Sequence, residues 1–215
     1  MHHGVYIGKE AAKETRILIL GESHHNKNNE GEGEPAFYTT SSVVEAYLTE
    51  EETGKTHRFF HKIAQSFGID TTKVEEKRFW DKIYFGNYID VVCGVRDNAA
   101  PQLIKDKGKR KQYNEELFKF VNENEIDIVC CFSRLVYQNL PAKSSFENSG
   151  ITIGVPDIGG KRDYIQKFIY QPGVRNNCDI ALNKPLMVYG FRHPSARCGF
   201  CSEHYNWYLQ KEIQL

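Results

Sequence analysis

The sequence has no apolar run longer than five residues; Ile17 to Leu20 and Ile128 to Phe132 are the longest. A membrane-spanning helix needs about 20 apolar residues in succession, so none is expected and a membrane partner is not. Neither charge sign is in excess, with 28 Lys and Arg against 28 Asp and Glu. That balance excludes a uniformly basic protein that adheres to any polyanion, while leaving a local basic groove open. No Pro-rich or Ser-rich linker and no internal repeat divides the chain. The start, Met1-His2-His3-Gly4, has no basic stretch followed by an apolar one, so no secretory leader is expected and a cytoplasmic location is. The six cysteines then read as reduced thiols instead of a disulfide framework. What remains, 40% apolar and 26% charged over 215 residues, is the composition of one globular domain, residues 1–215, expected as a monomer.

Segments of strand-like and helix-like pattern alternate, the signature of an α/β layered domain. Arg16 to Leu20 reads as a buried strand running into a tight loop at Gly21. Ser41 and Ser42 can cap a helix with Val43, Val44 and Tyr47 on one face. Phe59, Phe60, Ile63 and Phe67 repeat at helical spacing within Thr56 to Phe67, and Gly68 ends that helix. Glu75 to Trp80 reads as a helix and Lys82 to Ile89 as an extended segment. Lys105 to Lys111, five bases and one acid, reads as a basic loop able to face phosphates or simply solvent. A helix is predicted over Gln112 to Glu123, and a strand over Ile126 to Phe132. Ser133 then caps a helix from Arg134 to Asn139. Ile151 to Val155 reads as a strand, Asp163 to Tyr170 as a helix, Leu186 to Phe191 as a strand and Ser202 to Ile213 as a terminal helix.

Strands each followed by a loop and a helix place their carboxyl ends on one edge of a sheet, where ligands of open α/β folds gather. Two polar clusters fall there, Gly21-Glu22-Ser23-His24-His25 and Arg192-His193-Pro194-Ser195. Proline forces the residue before it into an extended conformation, so His193 projects from the strand end. It can meet charge on a leaving group, or be an ordinary turn histidine bonded to water. Ser195 offers a hydroxyl and a backbone N–H to an anion. Glu22 can accept a proton from water or cap a neighbouring helix. Asn87, in an otherwise apolar segment, can read a donor–acceptor pair or satisfy a turn. Phe37 and Tyr38 can stack on a planar ring or pack in the core. Cys198, Cys201, His193 and His204 have zinc-ligand chemistry but are crowded into one short stretch, and His57 and His61 lack a third ligand; no metal or other cofactor is expected.

Leu20-Gly21-Glu22 near the amino end, the Asn-bearing segment Phe79 to Tyr88, the strand and helix over Ile126 to Leu140, and the closing Tyr189-Gly-Phe-Arg-His-Pro-Ser195 together resemble the uracil-DNA glycosylase superfamily, from about Arg16 to Leu209. The resemblance implies a three-layer α/β/α sandwich with a central parallel four-stranded sheet. It implies hydrolysis of the N-glycosidic bond of uracil or a modified base turned out of DNA. On that resemblance Glu22 positions water, Phe37 or Tyr38 stacks on the base, and Asn87 reads its edge. His193 bonds the departing oxygen. DNA contacts fall to Ser23, His24, His25, Ser195, Arg197 and Phe200, the last as a wedge. The chain departs from the pattern in carrying Ser23 and His24 where many members have proline. Ser23 also stands where the best-known branch has an aspartate base. The branch with glutamate after the glycine carries an iron–sulfur cluster, whose amino-terminal cysteine pair is missing here. Ala196, after the His-Pro-Ser motif, is too small for a wedge. Two other functions stay open: a non-catalytic module binding nucleic acid or nucleotide on the same fold, and an unrelated hydrolase acting on a small metabolite.

Overall fold

The computed structural model describes residues 4–26, 39–50, 57–69, 72–89, 91–94, 99–141, 151–154, 164–196 and 200–213. In chain order these form β1 (Tyr6–Ile7), β2 (Ile17–Gly21), β3 (His24–Asn26), α1 (Thr40–Leu48), α2 (Arg58–Ser66), α3 (Lys73–Asp81), β4 (Ile83–Asn87) and β5 (Val92–Gly94). There follow α4 (Ala99–Lys105), α5 (Lys107–Glu123), β6 (Ile128–Cys131), α6 (Arg134–Asn139), β7 (Ile151–Gly154), β8 (Tyr164–Tyr170), β9 (Gly173–Arg175), β10 (Cys178–Leu182), β11 (Leu186–Gly190) and α7 (Ser202–Glu212).

The apolar runs become the middle of a seven-stranded sheet of order β1-β4-β2-β6-β11-β8-β7. Strands β4, β2, β6 and β11 are parallel. The expected four parallel strands are present, but β1 joins one side antiparallel, and β8 the other, with β7 antiparallel to β8. Strand side chains alternate between faces, and both faces are covered. Ile17, Ile19, Ile83, Phe85, Cys130 and Tyr189 pack with Val44 and Tyr47 of α1, Phe60 and Ile63 of α2, Phe79 and Trp80 of α3, and Tyr205 and Tyr208 of α7. Leu18, Leu20, Tyr84, Val129, Cys131 and Val188 pack with Ile104 of α4, Leu117, Phe118 and Val121 of α5, and Val136 and Tyr137 of α6. Burial on both sides explains why these strands read as continuous apolar runs. Each such side chain removed from water stabilises the fold by about 1.5–3 kcal/mol.

Three expectations are corrected. Residues Asp163 to Tyr170 do not form a helix: Tyr164 to Tyr170 is β8, paired along β11 from Tyr170↔Leu186 to Gln166↔Gly190. Ile165 and Phe168 are three apart, which imitates a helix face, but the β-branched and aromatic content suits a strand, and an open sheet edge was available to pair. Lys105 to Lys111 is not a loop. It closes α4 and opens α5, with Asp106 as N-cap accepting from Lys109 N at 2.9 Å; lysine and arginine are good helix formers, and one well-placed acid suffices to start the turn. The cap of α1 is Thr39, not Ser41 or Ser42, with Ser42 returning the bond to the Thr39 backbone. Ser133 does cap α6, accepting from Val136 N at 3.4 Å.

Gly190 ends β11 against α6. A Cβ there would lie 2.5 Å from the Tyr137 ring, which is buried. Gly190→Ala is therefore expected to lower the unfolding free energy by about 1–3 kcal/mol, measured by urea denaturation.

Candidate functional site

The four parallel strands end in register. Leu20 pairs with Gly86 on one side and with Cys131 on the other, and Cys131 pairs with Gly190. The ladder continues one step further, with Phe132 N donating to Leu20 O at 2.9 Å and Phe191 N to Cys131 O at 2.8 Å. Glu22, Asn87, Ser133 and His193 thus leave the same edge of the sheet, from β2, β4, β6 and β11. With strands about 4.8 Å apart, the exits of β2 and β11 are roughly 10 Å apart, with β6 between them.

Glu22 is half-buried, and its Oε2 accepts from Ser133 Oγ at 2.7 Å. Ser133 Oγ in turn accepts from Val136 N, so its proton is committed to the carboxylate. Glu22 therefore touches the residue that caps α6, while its Oε1 has no partner among the described residues. Ile89 N donates to Glu22 O at 2.9 Å and fixes the backbone beneath.

Asn87 is 8% exposed, with Nδ2 3.1 Å from His24 Nε2, which is also 3.0 Å from Thr40 Oγ1. Asn87 bears on Gly21 as well: a Cβ on that glycine would meet Asn87 Oδ1 at 2.4 Å. The glycine of Leu20-Gly21-Glu22 thus leaves room for the amide of its partner on the adjacent strand β4. His24, placed by the sequence reading among phosphate or water contacts, turns inward at 5% exposure and braces Asn87 instead. His25 lies on β3 opposite Cys93 of β5. Ser23 hydrogen-bonds the Cys93 thiol; burial pushes that thiol up, the Ser23 bond opposes the rise, and the Glu22 charge adds to it. Cys93 is accordingly a buried, packed thiol.

His193 is half-buried on the turn that follows β11. Ser195 N donates to His193 Nδ1 at 3.1 Å and Ala196 N to His193 O at 2.9 Å. A backbone N–H can only donate, so Nδ1 holds a lone pair and the neutral ring carries its proton on Nε2. Ser195 is exposed and Pro194 buried. Phe200, expected as a wedge, is half-buried with its ring 5.2 Å from Tyr205 and 6.4 Å from Phe132, against the core. Phe37, Tyr38 and Arg197 lie outside the described residues.

Three neighbours of these groups carry no local sequence signal of a place in the site. Ser133 has only the local pattern of a helix cap. Phe59 and Lys62 carry only the pattern of helix residues, although the Phe59 ring lies tilted 5.2 Å from that of His193 and Lys62 Nζ donates to Pro194 O at 2.6 Å. The histidines of α2 and its cap are paired with acids: His57 with Glu50, and His61 with the buried Glu76 at 2.5 Å. Cys201 Sγ lies 2.9 Å from Glu203 Oε2, and Cys198 is outside the described residues. Among the described residues no three His, Cys, Asp or Glu side chains are grouped to hold a metal ion, and no helix is long and apolar enough to cross a membrane.

No protein-family model matches the chain, and no curated protein matches it. The fold and site define an α/β protein with a mostly parallel central sheet, helices on both faces and a polar carboxyl edge built from Glu22, Asn87, Ser133 and His193.

Proposed function

We propose that this chain is a uracil-DNA-glycosylase-like hydrolase that cleaves the N-glycosidic bond of uracil or a modified base flipped from DNA. The observation that carries this reading is the Ser195 N–H bond to His193 Nδ1, which puts the proton of the neutral ring on Nε2, at the same sheet edge as the Glu22 carboxylate. Four parallel strands between two helical layers are what the resemblance implies, and they support it.

The bond from the base to the sugar breaks with its electron pair going to the base. His193 Nε2–H donates to the base oxygen on which that charge collects, in the manner of an oxyanion hole. The sugar becomes cationic and is met by a water whose proton passes to Glu22 Oε1. The water oxygen bonds the sugar carbon, and the base anion takes up a proton on release. Asn87 contacts the base edge, with its amide braced by His24. Phe37 or Tyr38 supplies the stacking ring. Ser195, Ser23, His25 and Arg197 hold the strand.

The test is incubation with duplex and single-stranded DNA carrying uracil, hypoxanthine or other altered bases, followed by alkali. Strand cleavage at the altered position is expected, and intact strands across the panel would overturn the reading. Release of base from free nucleosides with no DNA dependence would point instead to a small-metabolite hydrolase.

The engagement of the Asn87 amide by His24 favours a second reading, a non-catalytic module that binds nucleic acid or a nucleotide. Calorimetry with abasic-site duplexes that shows tight binding without turnover would select it.

A further inference from the structure

We propose that α2 is the positioning element for His193, with Phe59 setting the plane of the imidazole and Lys62 holding the turn that carries it. The proposal rests on the reading of His193 as the group that meets the departing base.

The turn from His193 to Ala196 is closed by two short internal bonds, Ser195 N to His193 Nδ1 and Ala196 N to His193 O. Ser195 and Ala196 are exposed, so water competes for both bonds. Helix α2 adds two contacts to these. The Phe59 and His193 ring centroids are 5.2 Å apart with planes inclined by 39°. Lys62 Nζ donates to the carbonyl of the buried Pro194 at 2.6 Å. The same ammonium lies 5.6 Å from the centroid of Phe200, where the chain re-enters the core toward α7. Lys62 therefore grips both ends of the segment between Pro194 and Phe200.

Phe59 and Lys62 are three residues apart, which puts them on one face of the helix. Beside that face, α2 is locked into the core through Phe60, Ile63 and Ala64. Phe60 meets Tyr47, Trp80 and Phe85 at ring distances between 5.1 and 5.4 Å. Phe59 itself also touches Phe85 of β4, at 6.0 Å. The helix thus forms a bracket running from Phe85 of β4 to the turn after β11. A displacement of about 1 Å in a catalytic group can cost a hundredfold in rate, and the direction of Nε2–H follows the ring plane that Phe59 touches.

Lys62→Met keeps the aliphatic stem and removes the donor; Phe59→Leu removes the ring. Each is expected to lower single-turnover base release about tenfold or more, with KM within about threefold of native, and Lys62→Arg is expected to restore most of the Lys62→Met loss. Nitrogen-15 spectra of labelled histidine should show native His193 with a protonated Nε2, and a mixture of ring tautomers in Lys62→Met and Phe59→Leu. Thermal melting of each variant confirms that the fold is kept, and Lys62→Met carries the test if Phe59→Leu melts early. Native rates and native His193 ring signals in both variants would overturn the proposal. If the native protein releases no base from any DNA, the catalytic reading fails by itself. The ring signals then still decide the bracket: altered signals in the variants uphold it and unchanged ones refute it.

Discussion

His193→Ala is expected to lower kcat for base release by roughly two to three orders of magnitude, equivalent to about 2.7–4 kcal/mol of lost transition-state stabilisation. KM should change little, because the donor acts on charge that exists only as the bond breaks. Pro194 holds His193 extended, and the Ser195 N–H bonded to Nδ1 at 3.1 Å selects the ring form with its proton on Nε2. A donor in a fixed direction costs no reorganisation during the reaction. Alanine removes it without leaving a buried polar group unsatisfied, since the side chain is only half-buried, so the melting temperature should stay near native. His193→Gln is the informative companion. A glutamine N–H can donate, but nothing holds its amide as Ser195 holds the imidazole, so it should recover only a small part of the rate. Single-turnover measurements on an altered-base duplex check both. Equal rates for native and His193→Ala would remove His193 from the chemistry.

Much of this edge was readable in the chain because local rules suffice for it. Ile17 to Leu20 and Ile128 to Phe132 are too short for core helices and too apolar for exposed strands, so parallel burial was the natural reading, and the ends at Gly21 and Ser133 followed. Ser133 was recognised as a cap because a serine before a helix has a local job. Its bond to Glu22 spans 111 positions, and no local pattern encodes that. The same holds for Asn87 and His24, which are 63 apart, and for Lys62 and Pro194, which are 132 apart. The missed strand β8 shows the opposite limit. Tyr164 to Tyr170 is locally ambiguous, and the edge of β11 decided it. The basic run after Lys105 was misread because charge suggests solvent, whereas helix propensity and a single capping aspartate determine the backbone. Lys105, Lys107 and Lys109 are exposed on those helices, while Lys111 is held by Asp179 at 2.5 Å and Glu115 at 3.4 Å.

Glu22→Gln is expected to reduce kcat by roughly two to four orders of magnitude if the carboxylate takes the proton of the attacking water. Glutamine has nearly the same shape, and its carbonyl oxygen can accept the Ser133 hydroxyl as Oε2 does now. The cap on α6 and the backbone at Ile89 should therefore be kept, and only the proton acceptor is lost. Ser133→Ala is the converse change. It keeps the charge but frees the carboxylate to rotate, and it also removes the cap, which costs about 1 kcal/mol of stability. The rate should fall about tenfold, as for a misplaced but intact group. The pair separates two roles for Glu22. A general base makes Glu22→Gln far slower than Ser133→Ala with near-native stability. A mere strut of the cap makes Ser133→Ala the more damaging variant in urea denaturation and leaves base release by Glu22→Gln untouched. Since the two residues face each other across the exits of β2 and β6, the double variant adds a further check: if Ser133 acts on the rate only by orienting Glu22, removing it from Glu22→Gln should slow base release no more.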